Sequence, residues 1–176
     1  MPSYDIAQYL LDRANIHDTV TRVPLYYDTG DITGLLNHVY GETIEIDYSS
    51  ITGGSPFTTS RADWTARVGG LLDVYTSTQH VTSGIIAHLP QPGADVVRPE
   101  KVAVQAQVSG NMVGKAQDGG SAGVPFTQNG GLLEAELQWD AALEAQGQNP
   151  WRITKYKVVK KWDRREQVGS GSSSDK

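Results

Sequence analysis

An α+β domain, with its helices early and an antiparallel sheet late, is the architecture this sequence predicts. Three observations carry that expectation. Before residue 75 apolar side chains recur at helical spacing: Ile6, Leu10, Ile16, Val20 and Val23, then Trp64, Val68, Leu71 and Leu72. After residue 77 the pattern changes to period two, clearest where Leu133, Ala135, Leu137 and Trp139 alternate with Glu134, Glu136, Gln138 and Asp140. Turn-forming clusters such as Pro90-Gln91-Pro92-Gly93 separate the later runs. Helices segregated from strands in this way give an α+β fold, not alternating βα units.

The elements follow in order. Residues 4 to 27 read as a helix with Ser3 as N-cap and Asp5 in the first turn. Pro24 lacks a backbone donor, so a kink or break is expected over residues 20 to 24. Gly30 closes this segment, and Asp31 can cap a second short helix, Ile32 to Asn37. Gly41 reads as a turn. Thr43 to Tyr48 alternates as a strand, and residues 49 to 60 read as a loop. Ser60 with Asp63 starts a third helix, residues 61 to 75, whose buried face would hold Trp64, Val68, Leu71, Leu72 and Tyr75. Four strands are expected next: Thr78 to Leu89, Lys101 to Lys115, Gly131 to Ala142 and Trp151 to Trp162. Gln117 to Gln128 reads as a flexible hairpin loop and Gln146 to Pro150 as a turn. One domain is expected over residues 1 to 167, followed by a disordered Gly/Ser-rich tail over 168 to 176. There is no internal repeat.

Composition narrows the function classes. The chain has 176 residues, 38% hydrophobic and 20% charged, with a formal charge of −5. That length can bury a real core. The acidic balance argues against a nucleic-acid or anionic-membrane partner, because both need a basic face. No apolar run reaches transmembrane length, and Met1 to Leu11 lacks the order of a signal peptide. A cytoplasmic location is therefore expected. Cysteine is absent, which excludes disulfides, thiolate catalysis and cysteine metal sites.

Chemistry concentrates in three short stretches: Tyr26-Tyr27-Asp28-Thr29-Gly30-Asp31, Ile46-Asp47-Tyr48 and Thr78-Gln79-His80. His80 begins a β-branched run and is the side chain best suited to exchange protons near neutrality. Taken alone, it is more simply a half-buried histidine satisfied by a carbonyl. His17, His38 and His88 are the alternatives, and no two histidines show metal-motif spacing. Asp31 is a capping residue. Asp28 ends a helix whose apolar face turns inward, where its carboxylate can orient an imidazole. Tyr27 and Tyr48 are ordinary packing residues by default. Beside a base they could hold a carbonyl oxygen or a water as an oxyanion hole. Tyr26, next to Tyr27 on the helix, faces elsewhere.

In this order and at these separations, Tyr27-Asp28-x-x-Asp31, Ile46-Asp47-Tyr48-Ser49 and Thr78-Gln79-His80 resemble scytalone dehydratase. More broadly they resemble SnoaL-like members of the nuclear transport factor 2-like superfamily. The resemblance covers residues 4 to 164. It implies a cone: a bent antiparallel sheet packed on three or four N-terminal and central helices around a deep pocket. It also implies a dehydratase-type lyase or isomerase that needs no cofactor. The substrate class would be a small cyclic carbonyl or a polyketide- or terpenoid-like molecule. In the family the equivalents of Tyr27 and Tyr48 hold a water that polarises the substrate carbonyl. The equivalent of His80 is the acid/base group, and that of Asp28 supports it.

The chain also departs from the family pattern. The second pocket histidine, on the next strand, is missing, and Asn111 or Met112 falls near its position. The family's serine and asparagine on the following strand give way to Glu134 and Glu136. The C-terminal cover has no apolar counterpart after Trp162. Asn111, Met112, Glu136 and Trp64 are thus the substrate-binding candidates, Glu136 only if its strand face points inward. In that case Leu, Ala and Trp would form an outer patch suited to a homodimer or homotrimer. The competing readings are a cyclase or epoxide hydrolase, for which no clear arginine partner is visible, and a non-catalytic ligand-binding or assembly domain.

Overall fold

The computed structural model describes residues 4–115 and 124–168. Helix α1 (Ile6–Thr29) is capped by Asp5, not Ser3, with the Asp5 carboxylate accepting from the Gln8 N–H at 2.8 Å. Tyr4 is drawn instead into an isolated bridge with Gly93, which fixes the chain in an extended form just before the cap. Pro24 does not break the helix. It lies on the buried side with Val20 and Val23, where packing outweighs one lost backbone bond. Gly30 ends α1 in the left-handed region, at φ 67°. Asp31 caps α2 (Ile32–His38) through a 2.7 Å bond from the Gly34 N–H.

Strand β1 (Tyr40–Asp47) begins earlier than its alternation suggests and takes in Gly41, where a turn is expected. Gly41 sits tight against Thr154 of a neighbouring strand; a Cβ there would lie 3.2 Å from its methyl. The expected loop over 49 to 60 contains α3 (Ser49–Thr52) and β2 (Phe57–Ser60). Both are only four residues long, too short for a periodic signal. Ser60 caps α4 (Arg61–Leu72), accepting from the Asp63 N–H. The helix stops at Leu72, leaving Leu71 exposed, and Tyr75 opens β3 (Tyr75–Ala87).

β4 (Lys101–Gly114), β5 (Val124–Trp139) and β6 (Trp151–Val168) complete the sheet. β5 begins inside the segment expected to be a hairpin loop; residues 116–123 of that segment lie outside the described residues. A short helix, α5 (Ala141–Ala145), occupies the end of the expected third long strand, capped by Asp140. β6 runs past Trp162 to Val168, so the expected tail begins inside a strand; residues 169–176 lie outside the described residues.

The strand order is β2-β1-β6-β5-β4-β3. The sheet is curled but unclosed, and helices pack on it. Its neighbours are antiparallel with one exception: β1 and β6 run parallel. Ile16, Val20 and Val23 of α1 meet Leu35, Ile44, Ile46, Val104, Leu133, Leu137, Trp151 and Ile153 in the core. Leu133, Ala135 and Leu137 therefore point inward, and Glu134 and Glu136 point out. The outer Leu-Ala-Trp patch, the sequence argument for oligomers, does not form on β5.

A polar clamp anchors α1. Asp12, wholly buried, accepts from Arg98 Nε at 2.9 Å, Trp151 Nε1 at 3.0 Å and Gln8 Nε2 at 3.1 Å. Arg98 also bonds Glu144 of α5 at 2.7 Å and lies over the Trp139 ring. Among the described residues no helix is long and apolar enough to cross a membrane.

Candidate active site

The last turn of α1 crosses β3, and this crossing builds the site. β3 lies at one end of the strand order and pairs only with β4. Its outer backbone groups therefore have no strand partner. Asp28 supplies one. Its Oδ2 accepts from the His80 main-chain N–H at 2.6 Å. Its Oδ1 accepts from Thr78 Oγ1 at 2.8 Å and lies 2.7 Å from His80 Nδ1. A carboxylate held by three donors can only accept, so His80 Nδ1 keeps its proton and donates it in the hydrogen bond, which leaves Nε2 of the neutral ring with its lone pair. Among the described residues Nε2 has no protein partner, and His80 lines a cavity.

The His80 N–H is used by Asp28 and not by β4. His80 and its cross-strand partner Gly110 are thus a non-hydrogen-bonded pair, the closer of the two antiparallel spacings. A side chain at 110 would press on the ring: a Cβ there would meet His80 Cδ2 at 3.0 Å and Asn129 Oδ1 at 3.4 Å.

The cavity holds about 300 Å³, within the range of small-molecule sites. One wall is sheet: Thr78, His80, Thr82, Val108, Met112 and Asn129. The other comes from α1, the N-cap of α3, β2 and α4 and is aromatic and aliphatic, with Tyr27, Tyr48, Phe57, Trp64, Val68 and Leu72. At its depth four phenols gather. Tyr27 and Tyr40 share a hydroxyl bond of 2.9 Å, and the Tyr48 and Tyr156 rings lie 6.0 Å apart. Burial pushes all four above the ordinary tyrosine range, and in each the charge of another of the group adds to it. They remain protonated at any working pH and can donate hydrogen bonds, but they are poor bases.

The structure thus brings Asp28, His80, Tyr27 and Tyr48 together and places Trp64 and Met112 on the cavity wall. It separates two candidates from them. Asn111 has the opposite strand parity to Met112 and bonds Gln128 Nε2 at 2.9 Å, away from the cavity lining. Glu136 lies on the outer face, 3.4 Å from Lys101 and 3.9 Å from Lys155. Because the inward positions of β5 are Leu133, Ala135 and Leu137, Glu136 has nowhere else to point.

Several site residues had no clear sequence signal. Thr78 sits near His80 in sequence, but nothing local marks its hydroxyl as a partner for Asp28. Asn129 sits beside an expected loop and shows its facing only once β5 is known to begin at Val124. Tyr156 could have been placed by strand parity with Val158, which also lines the cavity.

A sequence model of the SnoaL-like domain matches residues 8–157. Solved structures share the fold. The Kfla4162 protein of Kribbella flavida superposes with a TM-score of 0.70 at 20% identity, over 87% of this chain and 93% of that one. A candidate scytalone dehydratase from Novosphingobium aromaticivorans gives 0.65 at 15% identity, over 91% of each chain. A type 2 hexachlorocyclohexane dehydrochlorinase (LinA) gives 0.64 at 14% identity, over 91% of this chain and 92% of that one. No curated protein matches the sequence.

Proposed function

The chain belongs to the SnoaL-like domain family, and on that premise we propose that it is an acid–base lyase or isomerase of the dehydratase type, acting on a small cyclic carbonyl compound. The observation that carries the reading is the Asp28–His80 pair, 2.7 Å apart, on the wall of a largely apolar cavity, with His80 Nε2 unpartnered among the described residues. A histidine serving only to stabilise the fold has no need of a carboxylate on one nitrogen and an open cavity at the other.

The chemistry follows from the arrangement. His80 Nε2 removes a proton from the carbon next to the substrate carbonyl. The electron pair moves toward the carbonyl oxygen, and the growing negative charge is met by donors from the cavity depth, Tyr27 and Tyr48. Asp28 stabilises the imidazolium and holds its orientation. The enolate then reforms the carbonyl and expels a hydroxyl from the β carbon, which takes the proton from Nε2 and leaves as water. The products are an unsaturated ketone and water. Without a β-hydroxyl, the same proton returned at another carbon is a double-bond shift. Acid–base help of this kind is worth about 10²–10⁴-fold, so positioning by the aromatic wall must supply much of the rest.

The test is a panel of cyclic β-hydroxyketones incubated in deuterium oxide and followed by proton NMR. Water loss, or deuterium appearing next to the carbonyl, is expected with the native protein and is expected to vanish in His80→Ala. Full turnover in His80→Ala overturns the proposal.

A further inference from the structure

One charged side chain in the cavity has no part in that chemistry. Arg67 on α4 is the only lining residue, among those described, with a permanent charge. Among the described residues it makes no ion pair and no side-chain hydrogen bond, in a chain where acids outnumber bases, 20 to 15. Asp63, one helical turn earlier, is the natural partner, but it is committed to the Ser60 hydroxyl at 2.7 Å.

Arg67 is held in place nonetheless. Its guanidinium lies 5.3 Å from the Phe57 ring centroid. Phe57 lies 6.2 Å from Trp64, and Trp64 stacks on Tyr48 at 5.7 Å with the planes 24° apart. Tyr48 leads to Tyr156 at 6.0 Å. The wall facing His80 is therefore a continuous run of rings, with a cation at its exposed end and protonated phenols at its buried end.

We infer that the cavity takes a ring-bearing anion, its ring against the Phe57–Trp64–Tyr48 wall and its carboxylate on Arg67. A neutral apolar ligand would use the rings and leave the guanidinium to water. A carboxylate at the exposed end uses both, and a planar guanidinium suits its two oxygens. The carboxylate is then at the opposite end of the ligand from a carbonyl placed on the phenols. This deepens the acid–base reading, resting on it only for the location of the reacting end.

The experiment is equilibrium binding of two probes of one shape, 2-naphthoate and 2-naphthamide, read by quenching of tryptophan fluorescence at about pH 8, above the ordinary imidazole range. The native protein is expected to bind the naphthoate about three- to tenfold more tightly, the scale of a charge-assisted contact at an exposed site. Arg67→Gln is expected to erase the preference, Arg67→Lys to keep part of it, and His80→Gln to keep it whole. Equal binding of the two probes, binding of neither, or a preference that survives Arg67→Gln overturns the inference. A preference lost in His80→Gln but not in Arg67→Gln assigns the anion to the histidine and overturns it too. Proton transfer is not read in this assay, so failure of the acid–base proposal leaves its outcome unaffected.

Discussion

Replacing Asp28 by asparagine keeps the shape of the side chain and removes its charge. Three donors converge on the native carboxylate: His80 N–H, His80 Nδ1 and Thr78 Oγ1, at 2.6, 2.7 and 2.8 Å. Asparagine offers one acceptor oxygen and an amide nitrogen that donates, so at least one of the three faces another donor. A hydrogen bond to a charged group contributes about 1.5–3 kcal/mol. The His80 and Asp28 side chains are 29% and 19% exposed, so solvent screening favours the lower end, about 1.5–2 kcal/mol. At 1.4 kcal/mol per decade that is roughly a 10- to 30-fold change in the ratio of the two neutral tautomers. Long-range ¹H–¹⁵N correlation of the imidazole at about pH 8.5 reads the ratio directly. The native protein should show the Nδ1–H tautomer, and Asp28→Asn should lose at least tenfold of that preference. On any substrate found, turnover should fall about 10²–10⁴-fold. An unchanged tautomer ratio in the variant would refute the assignment of Asp28 as the residue that orients His80.

Three other outcomes follow from the same structure. In an alkaline titration followed by phenolate absorbance, Tyr27, Tyr40, Tyr48 and Tyr156 should stay silent through the ordinary range near 10 and ionise only as the fold is lost. Their folded values are raised, so their contribution to stability is whole below about pH 10 and falls as pH rises beyond it, by up to about 1.4 kcal/mol per unit for each phenol. Gly110→Ala should displace the imidazole, since the added carbon would lie 3.0 Å from His80 Cδ2; chemical-shift changes at His80 and lost turnover, with little change in melting temperature, would show it. Asp12→Ala leaves Arg98 largely buried without its main partner and should cost about 3–5 kcal/mol in urea unfolding, with the sheet wall of the cavity unaltered.

The long elements were legible because periodicity and caps agree there. Helix α4 announces itself through Ser60 and Asp63, and β5 through strict alternation of Leu, Ala and Glu. What was hidden depended on partners far along the chain. Gly41 reads as a turn because nothing local says that Thr154 will lie against it. The parallel pairing of β1 with β6 joins segments over a hundred residues apart and leaves no mark in either. At the site, the resemblance found the motifs holding Asp28 and His80, but one-residue uncertainty along β4 was enough to nominate Asn111 beside Met112, and only Met112 lines the cavity, since a single step reverses the facing of a strand residue. Glu136 failed for the same reason, decided by which face of β5 carries the leucines.

Asp28 could be read as nothing more than a cover for an open sheet edge, and the bond to the His80 main chain fits that reading. The bond to Nδ1 does not. Edge protection uses one carboxylate oxygen, at 2.6 Å from the backbone nitrogen. The other oxygen is shared between Thr78 and the imidazole, and it fixes a ring that a surface histidine would leave free to rotate. Fixing it costs side-chain entropy with little gain in buried apolar area, because His80 lines a cavity and is not part of the core. Gly110 lacks a side chain directly opposite His80, where a Cβ would crowd the same ring. Two neighbouring elements thus constrain one imidazole in a place where stability alone asks for neither constraint.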